Sequence, residues 1–393
     1  MCFRLKRASM RINHFIIACV SLMFLCSCAT DGSIHPHLPA DVTINKEAGR
    51  GGYLVVTLRL ESGEELPFIV DTGTAGTLFN KSLEPKLGKR LGTATYRHWG
   101  TQTKSGIYAA PKLYLGSTPL ITGSKIVTSD FKQLSARAGR PIMGILGLDC
   151  LRHYCIQLDF EAGKMRFLDD DHSDKHNWGK AFPILALNFM DARPAVGENL
   201  LGRQGPHSLI DSGYIADGWL MPKFYRQWTN QAVLPAKGET RSPDGRFGGE
   251  TYPDISLQVE DVESDGIGLP FLARHLVTLD FPMRTLYLKR ASIGPLIDDR
   301  VESAMQLLKN LKEQGRLPGW LKVDCGALKG ATINSPSNSV NFEVLKNGDP
   351  SPYHYKIDQA SEADPWKLQK AWRTDQNGRT IEEFPVLQEV HPR

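Results

Sequence analysis

The residues of this chain best suited to chemistry are two aspartates, each placed at the end of an apolar segment and followed by a small hydroxyl residue and a glycine. The two sequences are Asp71-Thr72-Gly73 and Asp211-Ser212-Gly213. The apolar run before each aspartate predicts a buried strand, and the residues after it predict a tight turn. Each acid is therefore expected at the tip of a rigid strand, on a turn whose glycine lets another backbone come close.

Two carboxyl groups held close together can hydrolyse a peptide bond without a metal ion or a covalent nucleophile. Like charges at such a distance cannot both ionise, so the pair keeps one proton between its members. The ionised carboxylate takes a proton from water while the protonated one polarises the scissile carbonyl, and the apparent pKa values belong to the pair. We therefore predict Asp71 and Asp211 as catalytic residues and expect no metal ion and no cofactor.

The second half of the chain repeats the order of the first, which would bring the two aspartates together. Residues 147–160 align with residues 268–281 without a gap. Leu78-Phe79 follows the first acidic turn, and Trp219-Leu220 follows the second. Such a match indicates duplication of a β-rich unit, and two copies can face each other across a pseudo-twofold axis.

With these motifs, the chain resembles the aspartic proteases of the pepsin and retropepsin kind over about residues 52–288. The resemblance implies a mainly β fold of two retropepsin-like β-barrel lobes, to which this chain adds a small C-terminal α+β module. It also implies that Asp71 and Asp211 are the catalytic pair of an aspartic-type endopeptidase.

The same resemblance implies supporting roles for the residues beside each aspartate. The hydroxyl groups of Thr72 and Ser212 are expected to brace the two loops against each other by hydrogen bonding. Gly73 and Gly213 are expected to allow close packing and to leave room for the water.

Other elements also match the family, and one position departs from it. Ile145-Leu146-Gly147 resembles the apolar element that packs beneath the first acidic turn, with Gly266-Ile267-Gly268 as its shorter counterpart. The hairpin near His98-Trp99 stands where the family has its substrate-covering flap. Tyr214 occupies a position where the family has a small residue. The equivalent residue in the first half is Thr74. The side chain of Tyr214 can crowd the aspartates or line the pocket.

The departures keep two alternatives to an active endopeptidase open. The first is a catalytically inactive descendant whose cleft binds peptide or cell-wall material without cutting it, which Tyr214 and the shorter second lobe favour. The second is a chain with one competent lobe that pairs with another copy as a homodimer.

The first 27 residues have the order of a signal peptide. A basic segment, Met1–Asn13, precedes an apolar run, Phe15–Leu25, that is too short to span a bilayer. Leu25-Cys26-Ser27-Cys28-Ala29 resembles a bacterial lipobox, which predicts cleavage before Cys28 and lipidation of its thiol, with a plain secretory peptide as the alternative. Acyl chains on Cys28 would tether the protein to a membrane, and Ala29 favours the outer membrane, facing the periplasm.

The composition is that of a globular protein and argues against a nucleic-acid partner. The chain has 393 residues, of which 41% are hydrophobic and 23% charged, and a formal net charge of +4. The basic excess lies in the leader, so the remainder is near neutral and poorly suited to binding phosphate backbones. We expect a monomer with a peptide or protein substrate that contacts a membrane only through its lipid.

The sequence divides into five predicted segments. They are a signal peptide (1–27), a spacer (28–50), a first protease-like lobe (51–172), a second lobe (173–292) and a C-terminal module (293–393). The module has the pattern of an amphipathic helix over Asp299–Gln314, followed by four strand-like pieces. It carries no recognisable chemistry, so we expect a docking or stabilising appendage.

Two patterns allow more than one interpretation. Cys150 and Cys155 can pair in an oxidising compartment, or they can be two buried thiols. The repeat has Phe271 and Leu276 at their positions, which supports the buried thiols. Residues 169–172, three aspartates and a histidine, could hold a metal ion, but a solvated linker between the lobes is the favoured interpretation.

Overall fold

The computed structural model describes residues 38–98, 101–169, 175–186, 193–229, 240–241, 244–317, 328–334, 338–344, 353–360, 364–375 and 379–384. Within these ranges the chain is mainly β, with two pepsin-like lobes and a small C-terminal module in which a separate sheet packs against a helix. The predicted fold class is confirmed. No helix in the described part of the chain has the length and hydropathy needed to cross a membrane.

The first lobe is built on a nine-stranded sheet in which the strand before Asp71 has a neighbour on each side. The elements from 38 to 169 are β1 (Val42–Thr43), β2 (Val55–Leu60), β3 (Glu65–Val70), β4 (Leu78–Asn80), a 3-10 helix (Lys81–Lys86), β5 (Arg90–His98), β6 (Thr101–Ala109), β7 (Leu113–Leu115), β8 (Thr118–Pro119), β9 (Lys125–Ser129), α1 (Lys132–Ala138), β10 (Gly144–Leu146), α2 (Leu148–Leu151), β11 (Cys155–Asp159) and β12 (Lys164–Leu168). β3 is antiparallel to β2 and parallel to β10, and β10 is antiparallel to β4. Because apolar clusters cover both faces of β3, Phe68–Val70 are all buried, as their continuous apolar run predicts.

The second lobe repeats this arrangement on a seven-stranded sheet. Its elements are a 3-10 helix (Lys175–Asn177), β13 (Lys180–Pro183), β14 (Leu185–Ala186), β15 (Pro194–Glu198), β16 (Gln204–Asp211), β17 (Gly218–Leu220), α3 (Pro222–Thr229), β18 (Thr240–Arg241), β19 (Gly245–Phe247), β20 (Glu250–Tyr252), β21 (Leu257–Val259), β22 (Asp265–Gly268), α4 (Leu269–Ala273), β23 (His275–Asp280) and β24 (Thr285–Arg290). β16 is antiparallel to β15 and parallel to β22, and β22 is antiparallel to β17. The pairing around the second acidic turn is therefore complete, although this lobe is shorter in sequence.

Strands of both lobes form one six-stranded sheet, in the order β1-β12-β11-β23-β24-β13. This shared sheet holds the two lobes in place relative to each other. The antiparallel register of β11 and β23 pairs Ile156 with Leu279, Gln157 with Thr278 and Leu158 with Val277. Gln157 and Thr278 hold the same position in the two repeats, so the pseudo-twofold axis passes between them. The side-chain amide of Gln157 donates a hydrogen bond to Thr278 Oγ1 at 3.1 Å.

The start of the described chain belongs to the body rather than to a spacer. Val42 and Thr43 form β1, which pairs with β12 in the shared sheet. Ile44 is 3% exposed and Ala48 is fully buried, and both belong to the main apolar core. The predicted spacer over 28–50 therefore does not extend through this stretch. Two residues of strand are too few for an alternating pattern to be recognised in the sequence.

A single buried apolar cluster runs through both lobes and includes Cys150. Cys150 and Cys155 are both buried and are not joined in a disulfide. The buried-thiol interpretation is therefore the one the structure has. Burial, together with the nearby Asp149 carboxylate, raises the pKa of the Cys150 thiol far above its usual range, which makes that thiol unreactive.

The C-terminal module is one helix on an antiparallel sheet. Its elements are α5 (Asp299–Glu313), β25 (Leu328–Asn334), β26 (Asn338–Val344), β27 (Tyr353–Gln359), β28 (Lys367–Thr374) and β29 (Thr380–Phe384). The helix matches the predicted pattern, and its buried side chains contact a core separate from that of the lobes. The four predicted strand pieces correspond to β26–β29, and the sequence analysis missed β25.

Candidate active site

Each acidic turn begins where a buried strand ends. Asp71 directly follows β3, and Asp211 is the last residue of β16. The preceding residues, Val70 and Ile210, are 2% and 0% exposed, so both strand ends are fixed in the core. Both aspartates remain partly exposed, so solvent can reach them.

The residues after the two aspartates hold the turns together through four reciprocal hydrogen bonds. Thr72 Oγ1 donates to the Ile210 carbonyl at 2.7 Å and accepts from the Ser212 N–H at 3.0 Å. Ser212 Oγ donates to the Val70 carbonyl at 2.8 Å and accepts from the Thr72 N–H at 3.1 Å. Both hydroxyl residues are essentially inaccessible to water. The contact obeys the pseudo-twofold symmetry and joins strand ends that are 140 residues apart.

Replacing Thr72 with valine is expected to destabilise the protein by about 1–3 kcal/mol, because the Ser212 N–H and the Ile210 carbonyl lose their buried partner. Thr72→Ser is the matched control, since it keeps the hydroxyl. Unfolding in urea, followed by tryptophan fluorescence, measures both variants. Equal stability of the valine and serine variants would show that the hydroxyl contributes nothing.

The two glycines let the carboxylates approach across the axis. A Cβ added to Gly213 would lie 2.6 Å from Cγ of Asp71, and one added to Gly73 would overlap the carboxyl group of Asp211. Each turn is thus packed against the acid of the other. The structure places Asp71 and Asp211 of a single chain together, and we call them the dyad.

Tyr214 does not cover the dyad. Its hydroxyl donates a hydrogen bond to Gln258 Oε1 at 2.8 Å. Its ring packs edge-on against Trp219, with centroids 4.6 Å apart, and its Cδ1 lies close to Gly268. The side chain therefore lies against the second lobe, and Asp211 stays partly exposed. Of the two alternatives from the sequence, crowding of the dyad is the one this geometry disfavours.

Residue 214 is a tyrosine where the first lobe has Thr74, and this difference makes the hydrogen bonding of the two carboxylates unequal. Asp71 accepts hydrogen bonds from the Gly73 N–H at 2.7 Å and from Thr74 Oγ1 at 2.6 Å. Asp211 accepts the equivalent N–H bond from Gly213 at 2.9 Å, but a tyrosine that points away replaces the threonine. Hydrogen bonds to a carboxylate favour its ionised form, so the negative charge is better stabilised on Asp71.

The surroundings of Asp211 favour its protonated form. Burial raises the pKa of Asp211 well above its usual range, and the charge and hydrogen bonding of Asp71 raise it further. The Gly213 N–H and the guanidinium of Arg193 lower this pKa, but by less. The shared proton is therefore expected on Asp211, with Asp71 ionised.

Asp211→Asn is expected to make the folded state more stable at neutral pH while removing part of the pH dependence of stability. The raised pKa of Asp211 means that its contribution is fully present below the unfolded value, about 3.9, and is lost as pH rises through the folded value. The asparagine amide does not titrate, so the variant does not lose stability in this way. Urea unfolding across a pH series measures the effect, with the exposed Asp261→Asn as control. If the free energy of unfolding of Asp211→Asn declined with pH as much as that of the wild type, this would contradict the raised pKa assigned to Asp211.

Two residues near the dyad were missed by the sequence analysis. Tyr53 and Arg193 each stand 18 residues before an aspartate, at equivalent positions of the two halves. Arg193 Nη1 donates to the Gly73 carbonyl at 3.4 Å. Burial raises the pKa of Tyr53. Arg137 lowers this pKa, and the charges of Asp71 and Asp211 raise it. Aligning the two halves upstream of the acidic turns would have shown that both positions are polar.

Two further carboxylates support the loops from inside the lobes. Asp149 accepts hydrogen bonds from the N–H and the hydroxyl of Thr77, at 2.8 and 2.6 Å. Asp217 is fully enclosed and pairs with the buried Arg274 at 3.3 Å. Both are engaged with partners within their own lobe, and neither joins the dyad.

Several predictions fall partly or wholly outside the described residues. The hairpin expected to carry the flap is present as β5 and β6, with His98 opposite Thr101, but Trp99 and Gly100 lie outside the described residues. The same holds for the predicted lipidation site, Cys28, and for most of the acidic stretch at 169–172. Among the residues that are described, no cluster of three or more acids, histidines or cysteines could hold a metal ion.

Comparisons with known proteins give a structural likeness only. No protein-family model matches the chain, and no curated protein matches it. Among the solved structures that match is the aspartic proteinase from Irpex lacteus, with 14% sequence identity and a TM-score of 0.41. The match covers 65% of this chain and 98% of that chain. The pepsin-like fold described above rests on the strand order, the register and the pseudo-twofold axis, independently of this likeness.

Proposed function

We propose that this protein is an aspartic-type endopeptidase that hydrolyses peptide bonds with a water activated by Asp71 and Asp211. The observation that carries the proposal is the reciprocal contact of Thr72 with Ser212, which supports two acidic turns of one chain at a common point. Two carboxyl groups in unequal surroundings are the arrangement that separates a general base from a general acid.

The asymmetry of the dyad suggests a role for each member. Asp71, the better-stabilised anion, takes a proton from the water as its oxygen attacks the carbonyl carbon, while protonated Asp211 gives its proton to the carbonyl oxygen. In the tetrahedral intermediate both former carbonyl and water oxygens are hydroxyls, and Asp71 carries the proton it gained. Asp71 then protonates the nitrogen, the C–N bond breaks, and Asp211 regains a proton from the collapsing diol.

The two alternatives differ from this proposal in what the dyad does. An inactive, peptide-binding relative would keep the fold without turnover, and the absence of a threonine partner for Asp211 is the feature that favours it. A homodimer with one competent lobe would need the second aspartate to be remote from the first. The proximity of both acidic turns within one chain argues against that arrangement.

We also propose that Cys28 is lipidated and tethers the protein to the outer membrane, facing the periplasm. The support is the basic, apolar and lipobox-like order of the leader. Metabolic labelling with a palmitate analogue tests this proposal, with Cys28→Ser as the matched variant. Label that persists on Cys28→Ser would overturn it.

The direct test of activity is incubation of the purified protein with a denatured protein mixture across a range of acidic to neutral pH. New peptide termini are identified by mass spectrometry. We expect internal cleavage that is insensitive to metal chelators. Complete absence of cleavage at every pH would favour the inactive, peptide-binding alternative.

A further inference from the structure

Arg193 lies directly before β15, opposite the second acidic turn. The antiparallel register of β15 with β16 pairs Ala195 with Leu209. Continuing this register by two residues places Arg193 opposite Asp211, the last residue of β16. Residues that oppose each other in an antiparallel pair have neighbouring side chains on one face. The chain segment next to the strand that carries the acid therefore carries this guanidinium.

A hydrogen bond also joins Arg193 to the other lobe. Its Nη1 donates to the Gly73 carbonyl at 3.4 Å. Gly73 in turn packs against Asp211, because a Cβ added to Gly73 would overlap the carboxyl group of Asp211. The register of its own lobe and the turn of the other lobe thus place the guanidinium next to the same acid.

The first lobe has a neutral side chain at the equivalent position. The register of β2 with β3 pairs Val55 with Ile69, and continuing it by two residues places Tyr53 opposite Asp71. Tyr53 is 6% exposed, and this burial raises its pKa. The two carboxyl groups of the dyad therefore differ in their cross-strand neighbours, a phenol for Asp71 and a guanidinium for Asp211.

The titratable and charged groups around Asp211 are Asp71, Arg193, Tyr53 with Arg137 beyond it, and Tyr214 with Glu260 beyond it. Burial raises the pKa of both phenols, so they stay neutral in the range in which carboxyl groups titrate. Burial and the charge of Asp71 raise the pKa of Asp211, and the charge of Arg193 lowers it. Because a guanidinium stays protonated at any working pH, Arg193 always weakens the hold of Asp211 on the shared proton.

We propose that Arg193 is a positioning residue whose fixed charge, held opposite Asp211, sets the highest pH at which the dyad keeps its shared proton. The proposal rests on the proposed function, in which Asp211 gives that proton to the carbonyl oxygen. A general acid works best when its pKa lies near the working pH. Burial keeps Asp211 protonated, and the cation keeps it acidic enough to donate.

The titration of Asp211 is measured without turnover by NMR of the full chain, labelled with ¹³C at the aspartate carboxyl groups. Arg193→Gln removes the charge but keeps an N–H donor. It should raise the pH at which Asp211 titrates by about one pH unit, the lower end of the effect of a neighbouring charge. Arg193→Lys keeps the charge and should titrate close to the wild type. Arg152→Gln, the matched control, removes an exposed arginine directly after α2 and should change nothing.

The pH profile of kcat/KM tests the same role during hydrolysis. In Arg193→Gln its alkaline limb should move to higher pH by the same amount as the NMR titration, and Arg193→Lys should restore the wild-type limb. A merely structural role would lower kcat/KM at every pH and leave the limb in place. Arg193→Met is a second neutral variant, which provides both measurements should the glutamine variant not fold.

Each outcome decides the proposal. An Asp211 titration that is unchanged in Arg193→Gln, or that moves to lower pH, overturns it. Equal displacement in Arg193→Gln and Arg193→Lys also overturns it, since lysine keeps the charge. Normal cleavage with an unchanged titration would leave the proposed activity standing and remove this role of Arg193. A wild-type protein that cuts no peptide would sink the proposed activity, while the NMR titration would still decide whether Arg193 controls the shared proton.

Discussion

Changing either member of the dyad to asparagine is expected to lower kcat/KM about a thousandfold, the range that general acid–base groups contribute. Asp71→Asn removes the base that takes the proton from water. Asp211→Asn removes the acid that polarises the carbonyl, although its amide still occupies the same space. Because both turns are fixed by Thr72 and Ser212 rather than by the acids themselves, both variants should fold.

The control for this pair is the exposed Asp261→Asn, which makes the same chemical change away from the dyad and should keep wild-type activity. Initial rates on a fluorogenic peptide, chosen from the mapped cleavage sites, measure all three variants. Wild-type rates in both dyad variants would remove the mechanism. A large loss in one variant only would mean that a single carboxylate does the chemistry, against the paired roles proposed above.

Adding one methyl group at Gly213 is expected to reduce activity at least about a hundredfold, since a displacement of about 1 Å has that effect on catalysis. The new Cβ of Gly213→Ala would lie 2.6 Å from Cγ of Asp71, so the carboxylate must move. The backbone at this position is not in the left-handed region that favours glycine, so the loss would come from the displaced acid rather than from a strained turn.

Gly76→Ala is the matched control, because it lies just after the first acidic turn and has no heavy atom within 4 Å of its added Cβ. Steady-state kinetics on the same peptide, together with urea unfolding, separate a displaced dyad from a misfolded lobe. Equal activity of the two alanine variants would show that the approach of Gly213 to Asp71 is not needed.

Much of the dyad could be predicted because local sequence and the repeat agree. An apolar run ending in Asp-Thr-Gly or Asp-Ser-Gly predicts a buried strand followed by a turn. The ungapped match of 147–160 with 268–281 predicts two such units related by a twofold axis. In the structure the equivalent residues Gln157 and Thr278 pair with each other across that axis. The inequality of the carboxylates was visible only as an unexplained bulky Tyr214, because its effect depends on where its ring points.

Contacts between distant segments could not be predicted in the same way. The end of α1, the start of α5 and residues 45–55 meet at a cleft lined by Arg137, Arg140 and Arg300, which no local pattern specifies. β1 is too short to produce an alternation, so the burial of Ile44 was unexpected. Such contacts depend on tertiary packing between segments that are far apart in the sequence, so no short stretch of the sequence predicts them.

The central claim, that the two acidic turns hold one proton between them, is tested most directly by an NMR titration of protein labelled with ¹³C at the aspartate carboxyl groups. We predict that the Asp211 carboxyl stays protonated well above the usual aspartate range, about 3.9, and that its pKa falls in Asp71→Asn as the neighbouring charge is lost. An Asp211 resonance that titrates at the ordinary value, or one that Asp71→Asn leaves unchanged, would contradict the account.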